Sequence, residues 1–321
     1  MYDFIEDLSK LLPKETIIFS SGPATLANPS YIDQLNKVPK DENNHTIKIG
    51  NQRLHMAGDF NDFRMYMLAL HDRFSIVSGS IKTLDESHFS AKIRFSNTNI
   101  EQEIKFKSPL TLKNVKLGIT SFSECWNDSF SFTHNENTQN VVCDLGFLTQ
   151  YGELLEPIKL DVQYIGIAKS EGRQAQDRLS EGHEKLQKIL AQLSNKPAKQ
   201  CTIILYRFSE KLETKIVNFQ TTLEIIEATL IKYFQPPMNS QRKNFPLDSK
   251  SLMKKIKKHK INKLITLLGE PKNCIILSNV ENNSNKINDN NYSFIKKYFE
   301  LVYESENILF NPKHIIDIQM K

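Results

Sequence analysis

Five residues in the second half of the chain are of kinds that handle phosphate esters: Tyr164, Arg178, His183, Glu227 and Asn239. Hydrolysis of a phosphodiester needs an activated water, neutralisation of the charge growing on the phosphate oxygens, and stabilisation of the leaving oxygen. A glutamate is a hard oxygen donor suited to Mg²⁺, which takes one or two carboxylates and keeps several waters. An arginine offers planar, permanently charged donors that match a phosphate. A tyrosine, with an ordinary pKa near ~10, becomes a useful base only beside cations that lower it. Singly, each has a plainer reading: Glu227 as a solvated helix residue, Arg178 as a surface ion-pair partner, Tyr164 as a strand aromatic. Their order along the chain has to carry the argument.

The elements that would position them alternate between strand and helix signals from 141 to about 245. Val141 to Leu148 and Leu160 to Ile167 read as strands. Arg173 to Leu193 carries a helical stripe of Ala175, Leu179, Leu186, Ile189, Leu190 and Leu193. Thr202 to Phe208 reads as a third strand, and Leu223 to Phe234 as a second helix stopped by Pro236-Pro237. The order β-β-α-β-α predicts a small sheet with helices packed on it.

Three motifs stand in this frame. They are Tyr164-Ile165-Gly166 at a strand end, Asp177-Arg178-Leu179 with His183 at a helix start, and Glu227-Ala228 through Pro236 and Pro237 to Asn239. Together they resemble the GIY-YIG nuclease superfamily. The resemblance implies a nuclease domain with Glu227 as the sole protein ligand of Mg²⁺ or Mn²⁺. It further implies Arg178 as the stabiliser of transition-state charge and Tyr164 as general base, directly or through water. His183 would share proton transfer or contact the phosphate, and Asn239 would fix the loop after the glutamate helix or border the metal. Gly166 serves backbone geometry. The chain departs from the family pattern in two ways. The loop from Gly166 to Arg178 is several residues longer, and the first motif is degenerate. Tyr151 is taken as its catalytic tyrosine, with Phe147 as the competing candidate.

The flanks are less specific. Residues 1–140 are expected to form a β-rich recognition or regulatory domain. Phe89, Ala91, Ile93 and Phe95 alternate with polar neighbours, as do Ile104 and Phe106, and Val115, Leu117 and Ile119. Tyr2 to Leu12 and Asp62 to His71 read as helices, and His134 to Asn140 as a linker. His55, Asp59, Asp62, His71 and Asp72 match no metal-ligand spacing and are read as structural. Residues 246–321 form a basic, partly helical extension. Its lysine-rich stretch Lys250 to Lys263, with Leu252, Ile256, Leu264, Ile265 and Leu267, suits a basic amphipathic helix. Lys254, Lys255, Lys257 and Lys258 are its nucleic-acid-binding candidates. An Asn-rich run at 281–291 reads as a loop, and Tyr292 to Leu301 as a final helix.

Bulk properties narrow the class. The chain has 321 residues, 39% apolar and 25% charged, enough to build a sizeable core. A net charge of +5 permits nucleic-acid binding without demanding it. Cys125, Cys143, Cys201 and Cys274 lie far apart and form no metal motif, so reduced thiols in a cytoplasmic protein are expected. No apolar run suits a membrane span or a signal peptide. The reading is an α+β protein, a metal-dependent endonuclease acting on DNA in restriction, phage defence or a mobile element. A homo-oligomer or a regulatory partner through the N-terminal domain would suit it. The alternative is an inactive GIY-YIG fold used as a nucleic-acid-binding or protein-interaction module.

Overall fold

The computed structural model describes residues 16–21, 24–32, 45–49, 52–56, 63–96, 98, 100–123, 126–169, 173–207, 219–258, 263–277, 296–304 and 307–316. In chain order its strands begin with β1 (Thr16–Ser20), β2 (Thr25–Ala27), β3 (His45–Ile49), β4 (Gln52–Met56) and β5 (Met65–Asp72). Then come β6 (Phe74–Ile76), β7 (Lys82–Thr83), β8 (His88–Phe95), β9 (Glu101–Lys107), β10 (Lys116–Ser123), β11 (Trp126–His134) and β12 (Asn137–Val142). The last six are β13 (Ile158–Ile167), β14 (Lys199–Tyr206), β15 (Lys263–Gly269), β16 (Cys274–Leu277), β17 (Lys296–Glu304) and β18 (Asn307–Ile316). The helices are α1 (Leu145–Tyr151), α2 (Ala175–Ser180), α3 (Glu184–Leu193), α4 (Phe219–Phe234) and α5 (Lys250–Lys258). The protein is a strand-rich α+β fold.

Five strands form the sheet that matters for function, in the order β16-β13-β5-β14-β2. β5 is its central strand and runs antiparallel to both β13 and β14. A strand covered on both faces reads as a continuous apolar run, and Met65 to Leu70 is one. Its side chains alternate between two cores. Met65, Met67 and Ala69 join a large cluster with α1, α4 and the β-rich stretch that comes after β5. Tyr66 and Leu68 join a second cluster with Ala175, Leu179, Leu186 and Ile189 of α2 and α3. The sheet is thus covered by α2 and α3 on one face and by α4 on the other.

Between β5 and β13 the chain builds β6 to β12. One sheet runs β6-β8-β7 with β9 on β8, and another runs β10-β11-β12. Phe89, Phe106, Phe130 and Phe132 are its fully buried centre, with Phe89 and Phe106 stacked at 5.1 Å. The boundaries expected at 140/141 and 245/246 do not coincide with a break in the five-stranded sheet. That sheet takes β2 and β5 from before the first and β16 from after the second.

Several local expectations change. Of the helix expected from Asp62 to His71, the residues from Met65 onward are strand β5. A short apolar run fits either element, and pairing on both edges selects the strand. His134 to Asn140 is a hairpin rather than a linker: Asn135 and Glu136 take positive φ (45° and 68°) and turn β11 into β12. Val141 to Leu148 is the end of β12 followed by α1, because Asp144 caps the helix through Phe147 N–H at 2.9 Å. Arg173 to Leu193 holds two helices, parted where Gly182 adopts φ +89°. The lysine-rich helix ends at Lys258, and Leu264, Ile265 and Leu267 lie in β15 between β1 and β17. Residues 296–301, expected as helix, are in β17. The expected helix at 2–12, the Asn-rich run, Cys125, Asp59 and Asp62 lie outside the described residues.

Candidate functional site

A bulge makes the site. β13 pairs with β5 so that Gly166 stands opposite Tyr66, but the register shifts between Val162 and Tyr164. Before the shift, Leu160 and Val162 face the α4 side; after it, Ile165 and Ile167 do. Tyr164 is thereby turned to the other face, alongside Tyr66, with ring centroids 6.1 Å apart. Re-aiming a side chain is what an extra residue in a strand does. Gly166 completes the arrangement. A Cβ there would lie 2.5 Å from the Tyr66 hydroxyl and 2.6 Å from its Cζ, so the ring crosses β13 only over a bare backbone.

His183 sets the direction of the hydrogen bonds. As N-cap of α3 its Nδ1 accepts from Leu186 N–H at 3.3 Å. The neutral ring therefore carries its proton on Nε2 and donates it to the Tyr66 hydroxyl at 2.8 Å. Burial, and next the Arg178 charge, push the His183 pKa down to about 4, so the ring is neutral at pH 7. The rings of Tyr66 and Tyr164 both lie against His183, their centroids 5.5 and 5.2 Å from its own. The hydrogen bonds run from the α3 backbone through His183 to the Tyr66 hydroxyl, beside which Tyr164 stands. Tyr66 is 0% exposed while Tyr164 is half-buried, so of the two phenols Tyr164 is the one that solvent reaches. Burial raises both phenols, and Arg178 opposes it at each.

Arg178 comes from α2 and donates through Nη1 to the Ile167 carbonyl at the end of β13. Its charge acts on Tyr66, Tyr164, His183 and Glu227 alike. Glu227 arrives from α4 and is 7% exposed. Burial raises its carboxyl pKa, against which Arg242, Lys169 and Arg178 act in that order. Arg242 forms an ion pair with Glu227 Oε2 through Nη1.

The edge of β13 explains how the loop after α4 reaches the site. β16 pairs only with Ile158 to Asp161, and beyond that no described strand lies on this side. Met238 N–H donates to the Gln163 carbonyl at 3.0 Å. The Asn239 amide accepts from Ile165 N–H and donates to the Ile165 carbonyl, both at 2.9 Å. One side chain stands in for a neighbouring strand, and the Asn239 amide is spent on backbone rather than turned to an open surface.

The structure brings Tyr164, Arg178, His183 and Glu227 together, with Asn239 behind them. It does not bring Tyr151. That residue ends α1, with its ring 4.8 Å from Phe147, and packs with the cluster on the face opposite Tyr164. The tyrosine beside Tyr164 is Tyr66. On α5, Leu252 and Ile256 are buried, and Lys254, Lys257 and Lys258 are exposed. Lys255 pairs with Glu224 at 2.8 Å, one turn before Glu227. His71 is buried, bonds the Asp72 carbonyl through Nδ1 at 2.8 Å, and Asp72 pairs with Lys199.

Sequence reasoning missed Tyr66, Lys169 and Arg242. Tyr66 had a signal in the unbroken apolar run around it, which suits a central strand. Lys169 and Arg242 had none, since an isolated basic residue in a loop is ordinary. No family model, curated protein or solved structure matches this chain.

Proposed function

We propose that this chain is a metal-dependent endonuclease of the GIY-YIG type, hydrolysing phosphodiester bonds in DNA. The observation that carries the reading is the meeting of Tyr66, Tyr164, Arg178, His183 and Glu227 around one end of β13, from five separate elements. In this reading Tyr66, not Tyr151, fills the first motif. β6 to β12 are then an insertion between the two motif strands that serves recognition or regulation, and α5 supplies sequence-independent phosphate contacts through Lys254, Lys257 and Lys258.

The donor set fits a hard divalent cation. Among the described residues no three His, Cys, Asp or Glu side chains gather to cage a metal. A lone carboxylate with water completing the shell is a normal arrangement for Mg²⁺ or Mn²⁺. When bound, the cation would supply charge to the phosphate and the leaving oxygen. Arg178 binds a non-bridging phosphate oxygen and stabilises its growing charge. Tyr164 orients the attacking water and receives its proton. The charge of Arg178, and after it the neighbouring Tyr66 hydroxyl, favour the phenolate that this requires, against the cost of burial and the Glu227 charge. His183, neutral and fixed by its cap, holds the Tyr66 hydroxyl in place beside Tyr164.

The test is cleavage of plasmid, single-stranded DNA and RNA by the full chain, with Mg²⁺ or with chelator. Glu227→Gln is expected to abolish metal-dependent cleavage while nucleic-acid binding stays within a few fold. Full cleavage by that variant sinks the assignment. The ion pair between Glu227 and Arg242 favours one other reading, an inert fold that binds nucleic acid. Binding without cleavage of any substrate, in either Mg²⁺ or Mn²⁺, would select it.

A further inference from the structure

Arg242 occupies the carboxylate that the proposed reaction needs for its cation, so any role for this arginine rests on that reaction. Its Nη1 bridges Glu227 Oε2 and, at 3.2 Å, the Glu224 carbonyl one turn earlier on α4. The two paired side chains are 9% and 19% exposed, the guanidinium being the more accessible. A carboxylate this buried needs a counter-charge. The backbone that carries Arg242 is held in place. Asn239 fastens it to β13, and Gln235 Nε2 donates to the Lys232 and Lys243 carbonyls at 2.8 Å each. Phe245 is buried just beyond. Arg242 itself sits at φ +66° inside these anchors. The part left to change partners is the side chain, the more exposed of the pair.

We infer that Arg242 is a resident counter-charge for Glu227, competing with the divalent cation for one carboxylate oxygen and passing to the substrate phosphate when both arrive. The charges argue for it. Three cations, Arg242, Lys169 and Arg178, already act on one carboxylate. A further divalent cation is repelled unless one of them turns away or a phosphodiester brings negative charge. Metal loading and substrate binding then assist each other, because each relieves a cost to the other. Arg242 is a positioning residue in the free protein and a phosphate ligand in the complex. Without nucleic acid, the apparent metal affinity is reduced by the fraction of molecules in which Glu227 is engaged, and a strong pair makes that roughly tenfold.

The experiment is a Mn²⁺ titration of the full chain, read by electron paramagnetic resonance of the free ion. It is run at pH 8, so that protons do not replace Arg242 on the carboxylate. Arg242→Gln is expected to bind Mn²⁺ about tenfold more tightly than the parent at one Glu227-dependent site, yet to cleave more slowly at saturating Mn²⁺. A residue that merely supported the fold would weaken both. Arg242→Lys, too short to bridge Glu224 and Glu227 together, is expected to fall between, and it decides the matter alone if the glutamine variant does not fold. Affinity equal to or weaker than the parent's in the folded variants overturns the inference. A parent chain with no Glu227-dependent Mn²⁺ site overturns the metal reading itself, which is a different result.

Discussion

Tyr66 and Tyr151 are both tyrosines beside apolar neighbours, and they differ in which face of the five-stranded sheet they join. Tyr66 bonds His183 and stands beside Tyr164; Tyr151 rests on Phe147. Tyr66→Phe is therefore expected to slow cleavage about 10²-fold or more, the lower range for a lost proton-transfer partner, whereas Tyr151→Phe should stay within a few fold. The pH profile separates positioning from general damage. Burial raises the Tyr164 pKa and the Tyr66 hydroxyl acts to lower it, so losing that hydroxyl raises it further, and the alkaline rise of the rate should move to higher pH. An unmoved profile in a folded Tyr66→Phe protein would show that Tyr66 does not tune Tyr164. Tyr164, Arg178, His183 and Glu227 could be picked out in the sequence because they succeed one another in a familiar order. The apolar run around Tyr66 suits a central strand but does not name Tyr164 as its neighbour, because the partner strand comes only after the whole stretch from β6 to β12.

At the scale of elements, the edge of β13 depends on a side chain. Asn239 supplies a donor and an acceptor to Ile165 where β16 has already ended. Asn239→Ala leaves both backbone groups of a buried residue unpaired, which costs about 1–3 kcal/mol each before relaxation. Urea unfolding should show a loss of about 2–4 kcal/mol, and a loss under about 0.5 kcal/mol, the low end for one hydrogen bond, would mean that water or another group replaces the amide. The bulge at Val162/Tyr164 had a trace in the sequence. Leu160 and Val162 are two apart, Ile165 and Ile167 are two apart, and the step between the pairs is odd. That change of parity is what a bulge leaves behind, but in one sequence it looks like any imperfect alternation. The break between α2 and α3 was likewise marked by Gly182, whose positive φ the surrounding helical stripe concealed.

At the scale of the molecule, the sheet that holds the site is assembled from segments far apart in the chain. A fragment of residues 141–321 lacks β2 and the central strand β5. It leaves the inner edges of β13 and β14 without their partner and exposes both clusters, so it is expected to aggregate or to show no cooperative unfolding in calorimetry. A cooperative transition from that fragment would contradict the central place of β5. Among the described residues no helix is long and apolar enough to cross a membrane. The sequence by itself determined the strand-rich α+β class, the helix that carries Glu227, the strand that ends in Tyr164-Ile165-Gly166 and the basic character of α5. These depend on periodicity, capping and residue type, all local. Only the tertiary structure decided that Tyr66 stands beside Tyr164, that Asn239 completes a strand edge and that Arg242 holds Glu227. Each of these is a contact between residues distant in the chain, chosen by which strands pair and which faces are buried, and no spacing within one segment encodes it.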